Sequence, residues 1–292
     1  MIFFIPSILR ASLLVVMCAL LTACGAIKLT YNNADSLIYW WLDGYVDFTV
    51  DQKVHVKNEM QAFHQWHRKT QLPAFADIAH SLQKISASDV TAAQLCTLAD
   101  QIQERLLPTL SAHIEPQVLW LVTHLTPAQI KSIEEKYAKT NEKWLDDWQP
   151  KTKATLIKNT EKSILERTDS LYGSLDDEQR KWLRETIRTS PFDAKTAYAE
   201  RLRRQQDLLG VLKDIQAKKL SSDAAKEPMR AVLQRSLVSP NPANKAYADK
   251  MREYNCDLYA KLHNKTNPEQ RKHALSKLVD YERDFKILQA TK

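Results

Sequence analysis

The chain has 292 residues, 44% hydrophobic and 26% charged, with a formal net charge of +7, a balance ordinary for a globular protein. Its 4 Gly are about 1.4% of residues against a usual ~7%. Tight β-turns are therefore scarce, and a many-stranded architecture is excluded. Neither GxGxxG nor the Walker-type GxxxxGK loop can be assembled from Gly25, Gly44, Gly173 and Gly210, which removes the common phosphate cradles.

The N-terminus reads MIFFIPSILRASLLVVMCALLTACGA. Arg10 precedes an apolar run from Ala11 to Leu21, shorter than the roughly 20 residues that cross a bilayer, so residues 1–23 read as a secretory signal. Leu21-Thr22-Ala23-Cys24 resembles a bacterial lipobox. That resemblance implies a diacylglyceryl thioether on Cys24, cleavage before it and a second acyl chain such as palmitate, since one chain alone binds membranes only marginally. Gly25 stands where inner-membrane retention calls for Asp, which favours the outer membrane, periplasmic face. The expected organisation is signal 1–23, lipidated tether 24–34 and a single all-α domain over 35–292. In that exported compartment Cys96 and Cys256 form an even pair. The sequence leaves open whether they are bridged or are two buried thiols.

Past residue 34 the hydrophobic period is helical. Leu37, Trp40, Trp41 and Tyr45 lie at i, i+3, i+4 and i+8, and Leu95, Leu98, Ala99, Ile102 and Leu106 repeat the stripe. The predicted helices cover 35–46, 50–70, 73–85, 92–107, 116–124, 127–148, 151–171, 177–188, 193–219, 223–236, 243–264 and 268–289. This defines an all-α, irregular multi-helix bundle. Five helix starts carry the capping-box pattern of an N-cap oxygen followed by Gln at N3: Thr49–Gln52, Thr91–Gln94, Thr126–Gln129, Asp176–Gln179 and Asn267–Gln270. Pro127 and Pro268 fall at N1, where a missing N–H costs nothing.

Chemistry is sparse. His55, Glu59, His64 and His67 share one helix, but only His55 and Glu59 have the i, i+4 spacing and no HExxH is present; no metal is expected. No GxSxG elbow or marked cysteine nucleophile appears, so no catalytic residue is assigned and no cofactor is expected. Residues 1–150 hold 12 Lys+Arg against 15 Asp+Glu, and residues 151–292 hold 30 against 20. Export removes nucleic acid as partner of that basic half. Anionic lipid, lipopolysaccharide or acidic envelope proteins remain, beside the plain alternative of solvated helix faces.

The densest segment runs from Tyr31-Asn32-Asn33-Ala34-Asp35 to Trp40-Trp41-Leu42-Asp43-Gly44-Tyr45-Val46-Asp47. With the lipobox, the following Thr49-x-x-Gln52, His67-Arg68 and Leu72-Pro73, it resembles an uncharacterised family of proteobacterial lipoproteins; Gly44 departs from that pattern, where an acid is expected beside Asp43. The resemblance implies location and fold without a reaction. It leaves Tyr31, Asn32, Asn33, Asp35, Trp40, Trp41, Asp43, Tyr45, His67 and Arg68 as candidate interface or binding residues. The aromatics read either as core or as a membrane-interface helix. Leu125-Thr126-Pro127-Ala128-Gln129 also resembles the Leu-Thr-x-x-Gln element of small helical periplasmic chaperones, which implies a holdase. The sequence thus points to a non-catalytic binding or envelope-assembly lipoprotein, with a holdase and then a hydrolytic enzyme as alternatives.

Overall fold

The computed structural model describes residues 27–290; the signal residues, Cys24 and Gly25 lie outside them. Among the described residues the fold is all helical. A short α1 (27–32) leads into α2 (Ala34–Val46), α3 (Val50–Thr70), α4 (Leu72–Ser86), α5 (Ala92–Thr123) and α6 (Pro127–Trp148). There follow α7 (Lys153–Tyr172), α8 (Asp177–Arg188), α9 (Ala194–Lys218), α10 (Ser222–Leu237), α11 (Pro242–Asn264) and α12 (Pro268–Ala290).

The five capping boxes all form. Thr49, Thr91, Thr126 and Asp176 each accept from the N3 amide while the N3 Gln reaches back, and Asn267 does the same with Gln270. Two expectations change. Helices predicted at 92–107 and 116–124 are one continuous α5 with Pro108 and Pro116 inside it. Each Pro removes one backbone donor, but packing on α10 and α11 and the Cys96–Cys256 disulfide, which spans 160 residues, hold the helix in line. Residues 27–32, expected within the tether, are helical.

Two hydrophobic cores organise the bundle. The larger packs Phe48, Val56, Leu125, Ile130, Leu212 and Ile215 from α3, α6, α9 and the turns before α3 and α6. The smaller joins Ile157, Leu175, Leu183, Ile187, Leu258 and Leu262 across α7, α8 and α11. A glutamine pair sits beside each. The boxes opening α3 and α6 meet, so that Gln129 Nε2 donates to Gln52 Oε1 at 2.5 Å and Gln52 Nε2 to the His124 carbonyl at 2.8 Å. The boxes opening α8 and α12 meet likewise, Gln179 Nε2 donating to Gln270 Oε1 at 2.7 Å and Gln270 Nε2 to the Ser174 carbonyl at 3.0 Å. The Thr91 box stays apart; Asn264 brackets Val90 instead, bonding its N–H and its carbonyl at 2.9 Å each.

Candidate functional site

Four of the residues singled out in the sequence converge where α1 crosses the C-terminal end of α3. The Tyr31 hydroxyl lies 2.9 Å from His67 Nδ1, and its ring is 4.8 Å from that of His64. Arg68 is buried. One arm of its guanidinium donates to Asn32 Oδ1 at 2.8 Å and the other to the Leu288 carbonyl at 2.9 Å, with the Tyr31 ring 5.1 Å away. Lys28 completes the contact by pairing with the buried Asp284 of α12 at 3.2 Å. Three elements distant in sequence are therefore joined by charge-assisted hydrogen bonds, the stronger kind.

The electrostatics suit a clamp. Burial pushes Tyr31 up to about 12, so its hydroxyl keeps its proton. Burial, then the neighbouring Arg68 charge, holds His64 below its ordinary value. Burial, then His64, does the same to His67. His64 Nε2 is buried without a hydrogen-bond partner. Neutral imidazoles beside a fixed guanidinium avoid placing two more cations in the same half-buried space.

The remaining residues of the segment do other work. Asn33 donates to the Leu29 carbonyl at 2.8 Å, tying α1 to the start of α2, and Asp35 lies close enough to His64 to oppose the lowering of its pKa. Asp43 closes α2: its carboxylate accepts the Phe48 N–H at 2.8 Å while Asp47 takes the left-handed conformation at φ 56°, which a short polar side chain tolerates. No second acid is needed for that turn, and a Cβ on Gly44 would meet only the end of Lys136 at 3.8 Å. Tyr45 lies between Trp41 and Tyr137, with ring centroids 5.0 and 6.0 Å away.

Of the apolar stripe of α2, Tyr45 packs against the larger core while the rest faces outward. Tyr39 and Val46 are buried, whereas Trp40 and Trp41 are 69% and 63% exposed and Leu37 and Ile38 lie open beside them. The core reading of these tryptophans is thereby corrected. The i, i+3, i+4 spacing identifies the helix, but the face carrying Tyr39, Leu42 and Val46 is the one that packs on the core.

Two grooves were not signalled by any motif. One, of about 710 Å³, is lined by Tyr45, Trp144, Trp148, Phe192 and Tyr247 with Glu200 and Arg201. The other, of about 740 Å³, lies between α5, α9 and α10 and is lined largely by Ile114, Val118, Leu208, Met229, Leu233 and Leu237. They share Tyr137, Arg204, Gln205 and Leu237. Their residues come from helices far apart in sequence, so only tertiary pairing could reveal them. Among the described residues no group of three His, Cys, Asp or Glu side chains is placed to hold a metal ion, and no helix is long and apolar enough to cross a membrane.

The model of a family of unknown function, DUF6279, matches residues 44–222, from the end of α2 to the start of α10. The chain belongs to that family. His67, Arg68 and most of the larger core fall within the matched span, whereas Tyr31 and Asn32 precede it and Leu288 follows it. No curated protein and no solved structure matches the chain.

Proposed function

We propose that this chain is an outer-membrane lipoprotein whose all-α body faces the periplasm and binds rather than catalyses, in envelope assembly or maintenance. One observation carries the reading. The residues just after Cys24 are fastened to the body through Lys28, Tyr31 and Asn32, and the next helix turns Leu37, Trp40 and Trp41 outward. A lipid on Cys24 would then hold the body at a set orientation, with tryptophans at the depth where aromatic side chains favour the headgroup zone.

Two further features support it. The Cys96–Cys256 disulfide suits an oxidising compartment. The basic half spends many cations on internal pairs, such as Arg203 and Arg235 with Asp207, which leaves protein partners at least as apt as anionic lipid. The holdase reading draws on the groove between α5, α9 and α10, but its apolar walls offer few partners for peptide N–H and C=O groups. The test is fractionation of cells expressing the wild type and Cys24→Ser. The wild type is expected in outer-membrane fractions, processed and labelled by palmitate; the variant is expected unprocessed and unlabelled. A variant of unchanged size and unchanged membrane association would overturn the proposal.

A further inference from the structure

The groove between α5, α9 and α10 has the chemistry of an amphiphile site. Ile114, Leu233 and Leu237 are 37%, 46% and 51% exposed along it, and Leu208, Val118 and Met229 form its partly buried floor. Met adapts its shape to an apolar occupant at little cost. The volume of about 740 Å³ falls within the roughly 300–1,000 Å³ of small-ligand sites.

One end of the groove carries surplus positive charge. Arg203, Arg204 and Arg235 share only two carboxylates, Glu200 and Asp207. Glu200 is held down at about 2, first by Arg203, so this network stays ionised at neutral pH. Arg204 touches Glu200 through Nε alone, at 3.1 Å, and its half-exposed side chain lies on the wall of both grooves. A guanidinium edge of this kind matches a carboxylate with two parallel hydrogen bonds. At the other end Lys226 and Arg230 are already met by Glu115 and Glu227, so the asymmetry is built in.

We propose that this groove binds a long-chain fatty acid, its carboxylate on Arg204 and its chain along Leu208, Leu233 and Ile114. An acyl chain has no polar groups to satisfy, unlike a peptide backbone in the same apolar walls. A single carboxylate also matches a network with one unbalanced positive charge. The assignment does not depend on the lipid at Cys24.

The test uses isolated membranes containing the full-length protein, given a diazirine-bearing palmitic acid analogue, irradiated, and mapped by labelled peptide. Label is expected on α5 and α10 and should be displaced by unlabelled palmitic acid. It should fall about tenfold in Leu233→Asp and in Arg204→Gln, and largely persist in Arg204→Lys. Each variant should keep the wild-type melting temperature, because Leu233 is half exposed and Glu200 retains Arg203. Label confined to the α2 face, label unchanged in both variants, or label lost equally with an apolar photoreactive peptide as competitor would overturn the proposal; the last outcome would identify a peptide site.

Discussion

Gln52 and Gln129 each cap their own helix and hydrogen-bond one another, 77 residues apart in sequence. Gln179 and Gln270 repeat the arrangement 91 residues apart. A residue that begins as a local helix-start signal thus becomes a buried cross-link between two helix N-termini. Each amide serves three masters: its own N-cap amide, the facing glutamine and a turn carbonyl. All four glutamines are buried, so losing one strands several polar groups away from water.

Gln129→Leu is therefore expected to destabilise the protein by about 2–4 kcal/mol, the scale of unsatisfied buried polar groups. Gln94→Leu, at the solitary box, should cost about 1 kcal/mol, the scale of an isolated cap. Urea unfolding of the two variants measures the contrast. Equal losses would mean that pairing adds nothing to capping.

Arg68→Ala should destabilise by about 2–3 kcal/mol, because a charge-assisted bond to the buried Leu288 carbonyl is lost. Asn32→Ala, removing only the other arm's partner, should cost less and should free α1. Limited proteolysis between residues 27 and 34 reads the second effect. An α1 as resistant as in the wild type would contradict the clamp.

Acid should loosen the same junction. His64 and His67 are both held below 6.5 in the folded chain. The unfolded chain therefore binds more protons as pH drops below that value, and stability is lost from there down toward the folded pKa values. The melting temperature should fall between pH 7.5 and 5.5, and fall less in a His64→Gln/His67→Gln variant. Glu200, depressed to about 2, gives a loss confined below its ordinary 4.5 and does not enter this window. An identical pH slope in wild type and variant would remove the histidines from the account.

Reduction of Cys96–Cys256 should lower stability by up to ~5 kcal/mol in the chain-entropy model, given the 160 residues that it spans. Thermal melting with and without dithiothreitol reads this directly. A reduced protein that melts at the oxidised temperature would assign the bond no stabilising role.

The tryptophans give the membrane prediction. With Trp40 and Trp41 exposed, their fluorescence should shift to the blue on addition of anionic vesicles, and Trp40→Ala/Trp41→Ala should abolish that shift. No shift in the wild type would leave α2 without a role at the bilayer.

Local signals are legible in the sequence because the bonds that make them are local. Thr49, Thr126 and Asp176 mark helix starts through bonds to residues three positions on, and Pro127 fits N1 by its own ring geometry. Tertiary choices were not legible in that way. Periodicity gave α2 its helix, but whether Trp40 or Tyr39 faced inward depended on α3 and α6. The gap between the helices predicted at 92–107 and 116–124 is closed in the structure, where α5 runs through Pro108 and Pro116 and packs on α10 and α11. Tyr31, Asn32, His67 and Arg68 are marked by their pattern, whereas the bond from Arg68 to the Leu288 carbonyl and the groove around Arg204 arise from helices far apart along the chain.

The most direct test of a dedicated binding role at the envelope is in-cell crosslinking of the tagged wild-type protein, with the adducts identified. One or two discrete envelope-protein adducts are predicted. A smear of many envelope proteins would contradict the account and identify a holdase instead.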